Sequence, residues 1–348
     1  MTPDHPLPRR GFLAATGAML LLAGCGTSQS ASPSPSASPG TGQSTGPSQA
    51  AGPWSYTDDR GKKIELPQRP TRIVTQVSAG AALWDFGVRP IGLFGPHKLA
   101  DGGRDPEAGE IDVSTVQTIG NVWDEFNIEK YISLQPELLV SGMYIKDQLW
   151  YVPEKSKEQI EAVAPTIGIN FAGRSGEEVI GKYSELAGLL GADLGAPAIT
   201  EAKARYDRAL AELKAFASAQ GELKILFAGA SPDLFYICHP PEFPDLKLVT
   251  EGAGVKLIVP ETVDQGGYYE SISWEKIDKY AADALFIDAR AQSMKVEEMA
   301  KKPTWGKLPA VKAGQVYPWR AEARYSYQGY AIMLEELVAN LKKVKRVL

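Results

Sequence analysis

The chain has 348 residues, of which 44% are hydrophobic and 23% charged, and its formal net charge at pH 7 is −5. An acidic balance argues against a nucleic-acid partner, which calls for a basic surface. Cys25 and Cys238 are the two cysteines, so the body beyond Cys25 can hold neither an internal disulfide nor a thiolate zinc or iron–sulfur centre. Cys238 lies in Leu234-Phe235-Tyr236-Ile237-Cys238 and reads as a small core residue.

Arg9-Arg10 precede an apolar run, Gly11 to Ala23, that closes in Leu22-Ala23-Gly24-Cys25. A basic start, a short apolar run and small residues before the cut make an export signal over 1–24. The run falls short of the roughly 20 apolar residues that span a bilayer. Leu-Ala-Gly-Cys resembles a bacterial lipobox, in which Cys25 takes a diacylglycerol and becomes the new N-terminus. Arg9-Arg10-Gly11-Phe12-Leu13 also resembles a twin-arginine motif; an ordinary secretory signal fits equally. Residues 27–53 contain no Asp, Glu, Lys or Arg. Such a Ser/Pro/Gly-rich stretch cannot offset its ordering entropy. Residues 25–53 are therefore expected to be a disordered, lipid-anchored tether.

The body, 54–348, is long for one core and suits two lobes. Arg72–Thr75 reads as a strand, Ala79–Phe86 as a helix stopped by Gly87, and Ile91–Phe94 as the next strand. Leu138–Ser141, Thr166–Ile169, Lys224–Phe227, Leu257–Val259, Leu285–Asp288 and Gln315–Tyr317 are further strands. Strands alternating with helices predict an α/β fold with parallel-rich sheets flanked by helices. From Ala198 to Gln220 there is neither Gly nor Pro. Ile199, Ala202, Tyr206, Ala209, Leu210, Leu213, Phe216 and Ala217 form a stripe of period 3.6. This predicts one long helix, 198–220, between lobes at 54–197 and 221–348.

The halves carry a weak repeat. Asn127-Ile128-Glu129-Lys130 leads to Glu137-Leu138-Leu139-Val140, and Ser273-Trp274-Glu275-Lys276 leads to Asp283-Ala284-Leu285-Phe286. Asn127 and Ser273 are suited to N-caps, so each half is expected to place a two-turn helix before a buried strand. A first-turn Glu complements the helix dipole, but the matching downstream offsets point to a paired role for Glu129 and Glu275.

No Gly-x-Ser-x-Gly, phosphate loop or His-Glu-x-x-His is present, and neither catalytic residues nor a metal or cofactor are expected. An exported α/β hydrolase and an adhesion module are the rival readings. From Tyr56 to Leu341 the order of landmarks resembles the substrate-binding lipoproteins of bacterial ABC importers for ferric siderophores, haem and vitamin B12. The landmarks include Thr57-Asp58-Asp59-Arg60-Gly61, Phe86-Gly87-Val88-Arg89-Pro90-Ile91-Gly92, Leu134-Gln135-Pro136-Glu137-Leu138, Ile272-Ser273-Trp274-Glu275-Lys276-Ile277 and Trp305-Gly306-Lys307-Leu308-Pro309. The resemblance implies two lobes joined by a single long helix, with a ligand cleft between them. It also implies a monomer held to the cell membrane by lipid alone, and docking of Glu129 and Glu275 on the two permease subunits.

In such a fold the cleft is lined by loops at the C-terminal ends of strands. These loops hold Trp123, Tyr144, Arg174, Phe235, Tyr236, Tyr268, Arg290, Trp319, Arg320, Arg324 and Tyr325, the expected ligand-binding set. Aromatic faces and guanidinium forks suit a bulky ligand with an oxygen-rich metal centre. A ferric siderophore, hydroxamate rather than catecholate because the arginines are few and scattered, is the expected ligand. Haem and vitamin B12 are the alternatives. Trp84, Tyr327 and Tyr330 read as packing.

Overall fold

The computed structural model describes residues 52–348. The export signal, Cys25 and the tether as far as Ala51 lie outside the described residues. The described chain starts in a hairpin, β1 (Trp54–Thr57) and β2 (Lys63–Leu66), whose residues alternate between buried and exposed.

Five parallel strands follow: β3 (Ile73–Gln76), β4 (Gly92–Phe94), β5 (Gln117–Gly120), β6 (Leu138–Met143) and β7 (Thr166–Asn170), ordered β5-β4-β3-β6-β7. β3 and β6 are buried along their whole length, as expected for parallel strands covered on both faces. Helix α1 (Val77–Asp85) leaves β3 without a loop, because the Gln76 side chain accepts from the Ser78 and Ala79 amides and so caps it. Two short helices, α2 (Ile128–Ser133) and α3 (Lys157–Val163), precede β6 and β7. Helix α4 (Gly176–Leu189) opens with a capping box between Ser175 and Glu178.

Helix α5 runs unbroken over Pro197–Ala219, 23 residues and so about 34 Å. Pro197 occupies its first turn, where a missing N–H costs nothing. Its buried stripe is Ile199, Ala202, Tyr206, Ala209, Leu210 and Leu213. That stripe packs on the last helix, Tyr327–Leu341. Arg205–Glu335 and Lys342–Glu212 ion pairs, both 2.7 Å, tie their exposed edges.

Beyond α5 lies a second sheet: β8 (Ile225–Ala230), β9 (Leu234–Cys238), β10 (Tyr269–Ser273), β11 (Ala284–Asp288) and β12 (Val316–Trp319), ordered β10-β9-β8-β11-β12. β8, β11 and β12 are parallel, while β9 and β10 are antiparallel. Leu257–Val259 is not a strand, contrary to expectation. One bond, Ile258 N to Ile225 O (2.8 Å), touches β8. Pro260 follows and cannot donate to a ladder. The second of the paired helices is also shorter than expected. Trp274–Lys276 is a single 3-10 turn, without a side-chain cap from Ser273.

The two-lobed α/β fold shares one core. Leu138, Val140 and Ile167 of the first sheet belong with Phe227, Phe286 and Trp319 of the second. The alternate residues of the second sheet, Leu226, Ala228, Leu285 and Ile287, face a separate outer core containing Trp274 and Trp305. Because strand side chains alternate between faces, this parity decides which aromatics can approach the first lobe.

Candidate functional site

The C-terminal ends of both sheets feed loops that meet between the lobes. In the first lobe an aromatic chain starts at Trp123, 45% exposed. Trp123 packs edge-on against Trp150 and Tyr151, with centroids at 4.8 and 5.1 Å, and Trp150 packs on Tyr144 at 4.9 Å. The chain crosses to the second lobe at Tyr144 and Tyr268, whose hydroxyl donates to the Tyr144 carbonyl at 2.7 Å. Phe243 lies against both Tyr268 and Tyr269, and Tyr269 against Tyr236. The result is a continuous aromatic wall spanning both lobes.

Beside it sits Arg290, just past β11. Its Nη2 donates to Asp288 at 2.8 Å, and its Nη1 pairs with Glu322. Glu322 and Tyr151 are both held at positive φ, 55° and 61°. Such backbone is uncommon for residues with a Cβ and tends to gather at functional sites. The first lobe brings Asp105 and Glu107 to the same place. Burial pushes the Glu107 carboxyl up to about 8, and the charges of Glu322 and Asp105 push the same way against Arg290.

Of the expected ligand set, the structure brings Trp123, Tyr144, Tyr236, Tyr268 and Arg290 together. The others have different surroundings. Phe235 has the opposite parity to Tyr236 and is fully buried in the outer core beside Trp274 and Trp305. Trp319 is buried, with its indole N–H on Asp245 at 2.9 Å. Burial raises the Asp245 carboxyl to about 7, against the pull of the Leu246 amide and the Trp319 indole. Tyr325 packs on Phe171 and Tyr183 inside the shared core. Arg174 is taken by Asp59, with Nη1–Oδ2 at 2.7 Å. Arg320 is exposed and paired with Glu336 on the last helix. Arg324 reaches the first lobe, where Asp85 lies 3.3 Å from its Nε and Glu110 3.2 Å from its Nη1. Trp150, Tyr151, Glu107 and Glu322 were missed. Trp150-Tyr151 was readable as an aromatic pair in a loop after a strand.

Glu129 and Glu275 are both exposed. Asn127 caps α2 through the Lys130 amide at 2.8 Å, which places Glu129 in the first turn. Glu275 sits in the 3-10 turn of the second lobe.

A family model described as periplasmic binding protein matches residues 100–323. The Fe(3+)-citrate-binding protein YfmC of Bacillus subtilis (strain 168) is 25% identical over 262 residues, covering 75% of this chain and 76% of that one. The iron(3+)-hydroxamate-binding protein YxeB of the same organism is 22% identical over 300 residues, 84% and 85% of the two chains. The crystal structure of DesE, a ferric-siderophore receptor protein from Streptomyces coelicolor, superposes with a TM-score of 0.80 at 39% identity, over 85% of this chain and all of that one. The family model and the similarity to DesE each span most of the body, and the chain belongs to the periplasmic binding protein family.

Proposed function

We propose that this chain is the extracytoplasmic binding protein of an ABC importer and that it captures a ferric siderophore, of hydroxamate type. The observation that carries the reading is the aromatic wall from Trp123 through Tyr144 to Tyr236, crossing both lobes beside Arg290. Flat apolar faces suit the organic shell of a chelate, and polar groups at the wall's edge suit its oxygens. The names of YfmC, YxeB and DesE point to the same class of cargo. Trp123, Tyr144, Tyr236, Tyr268 and Arg290 would line the site, joined by Trp150 and Tyr151. Glu129 and Glu275 would dock on the permease subunits, one from each lobe. Cys25 would carry the lipid, leaving a monomeric body to move on its tether at the cell membrane.

The test is uptake of radioiron by cells lacking the gene. Loss of ferric hydroxamate uptake, restored by the gene but not by its Cys25→Ala form unless the protein stays on the membrane, supports the reading. Normal uptake of every ferric siderophore in the deletion strain rejects it.

A further inference from the structure

Glu322 is the electrostatic centre of the region between the lobes. It acts on Glu107, Tyr144 and Tyr151 of the first lobe and on Tyr268 and Tyr269 of the second. Its own partner is Arg290, which also holds Asp288. The opposing cation at Glu107, Tyr144 and Tyr151 is in each case Arg290. One guanidinium therefore faces two carboxylates, Asp288 and Glu322, while Asp105 adds a third negative charge near Glu107 and the Lys295 ammonium, on the Arg290 carbonyl at 2.6 Å, is the second cation. The Glu322 side chain is 20% exposed and so remains reachable. The Tyr144 hydroxyl, in a residue only 9% exposed, lies beside that of Tyr325 yet completes no hydrogen bond of good geometry. A polar group buried without a partner is unfavourable unless something else satisfies it. Among the described residues no group of three or more His, Cys, Asp or Glu is placed to hold a metal ion.

Resting on the ferric-siderophore reading, we propose that Glu322, held by Arg290 where the lobes meet, sets the charge rule of the cleft. It admits neutral or cationic ferric complexes, seats a pendant ammonium, and turns away complexes that carry net negative charge. Arg290 is poorly placed to receive an anionic ligand, because its Nε and Nη2 donate to Asp288 and its Nη1 pairs with Glu322. An approaching anion meets an excess of carboxylate inside a poorly screened site, where like charges repel most strongly. An ammonium on the ligand meets that excess with the opposite sign.

Calorimetric titration with three ferric complexes of one linear trishydroxamate tests this. They differ only at the free terminus: an ammonium, the same amine acetylated, and the same amine succinylated to leave a carboxylate. Wild-type affinity should fall roughly tenfold at each step. Glu322→Gln should close most of the gap between the first two complexes. Equal binding of the ammonium and carboxylate forms by the wild-type protein overturns the charge rule without mutagenesis. An unchanged order in a folded Glu322→Gln variant removes Glu322 from the role. Binding of none of the three overturns the ferric-hydroxamate reading itself, a result distinct from equal binding of all three.

Discussion

Arg324 of the second lobe lies over Gly109 of the first so closely that a Cβ on Gly109 would collide with it. Gly109 is also at φ 53°, so the contact needs glycine on two counts. The guanidinium reaches past it to Asp85 and Glu110, and the Ser326 hydroxyl donates to the same Asp85 at 2.6 Å. The lobes are thus pinned to each other beside the cleft.

Arg324→Ala should therefore act on stability before it acts on binding. Burial pushes the Asp85 carboxyl up, and Arg324 and Ser326 pull it back. Removing Arg324 leaves that carboxyl without its cation, at a cost of about 3 kcal/mol. Urea denaturation reads the change, and Asp85→Asn in the same chain should recover part of it. Unchanged stability with lost ligand affinity would return Arg324 to the ligand.

The arginines show where the sequence was legible and where it was not. β3, β6, β8 and β11 stand out as β-branched or apolar runs, and α5 was readable from its stripe to within a residue at each end. These are local patterns. Which arginine is already paired is not local: Arg174 finds Asp59 across 115 positions, and Arg324 finds Glu110 across 214. The parity separating Tyr236 from Phe235 was equally hidden, because β9 was not distinguishable as a strand. Successive side chains of a strand point to opposite faces, so β9 sends Phe235 into the outer core and Tyr236 toward Tyr269.

Glu129→Ala with Glu275→Ala should leave melting temperature and ligand affinity nearly unchanged, since both side chains are exposed. Uptake in cells should fall sharply if these carboxylates meet the permease. Transport at the wild-type rate by the double variant would contradict the docking assignment.

Asp245 gives the protein a pH dependence of stated sign. Its folded value of about 7 lies above the ordinary 3.8. Its contribution is fully present below about pH 4 and is lost as pH rises through 7. Asp245→Asn removes the titration while keeping an acceptor for the Trp319 indole. The variant should gain stability relative to wild type between pH 4 and 8, by up to about 4 kcal/mol at the upper end. Parallel stability profiles across that window would show that Asp245 does not titrate as described.

Ligand closure should be small. The sheets share one core, and Tyr268–Tyr144, Lys247–Gly173 and Arg324–Asp85 contacts already bridge the lobes. Small-angle scattering should show little compaction on ligand addition, in keeping with a few degrees of rotation rather than a wide hinge. A large fall in radius of gyration would contradict this.

Binding of a ferric hydroxamate siderophore on the proposed aromatic wall would be directly observable through Trp123 and Trp150. The measurement is tryptophan fluorescence titration of the purified body with ferric trishydroxamates, a ferric triscatecholate, ferric citrate, haem and cobalamin. Saturable quenching by a ferric trishydroxamate at about micromolar concentration or below, weakened roughly tenfold by Trp123→Ala, is the predicted result. Saturable binding of haem or cobalamin alone, with no response to any ferric hydroxamate, would contradict it.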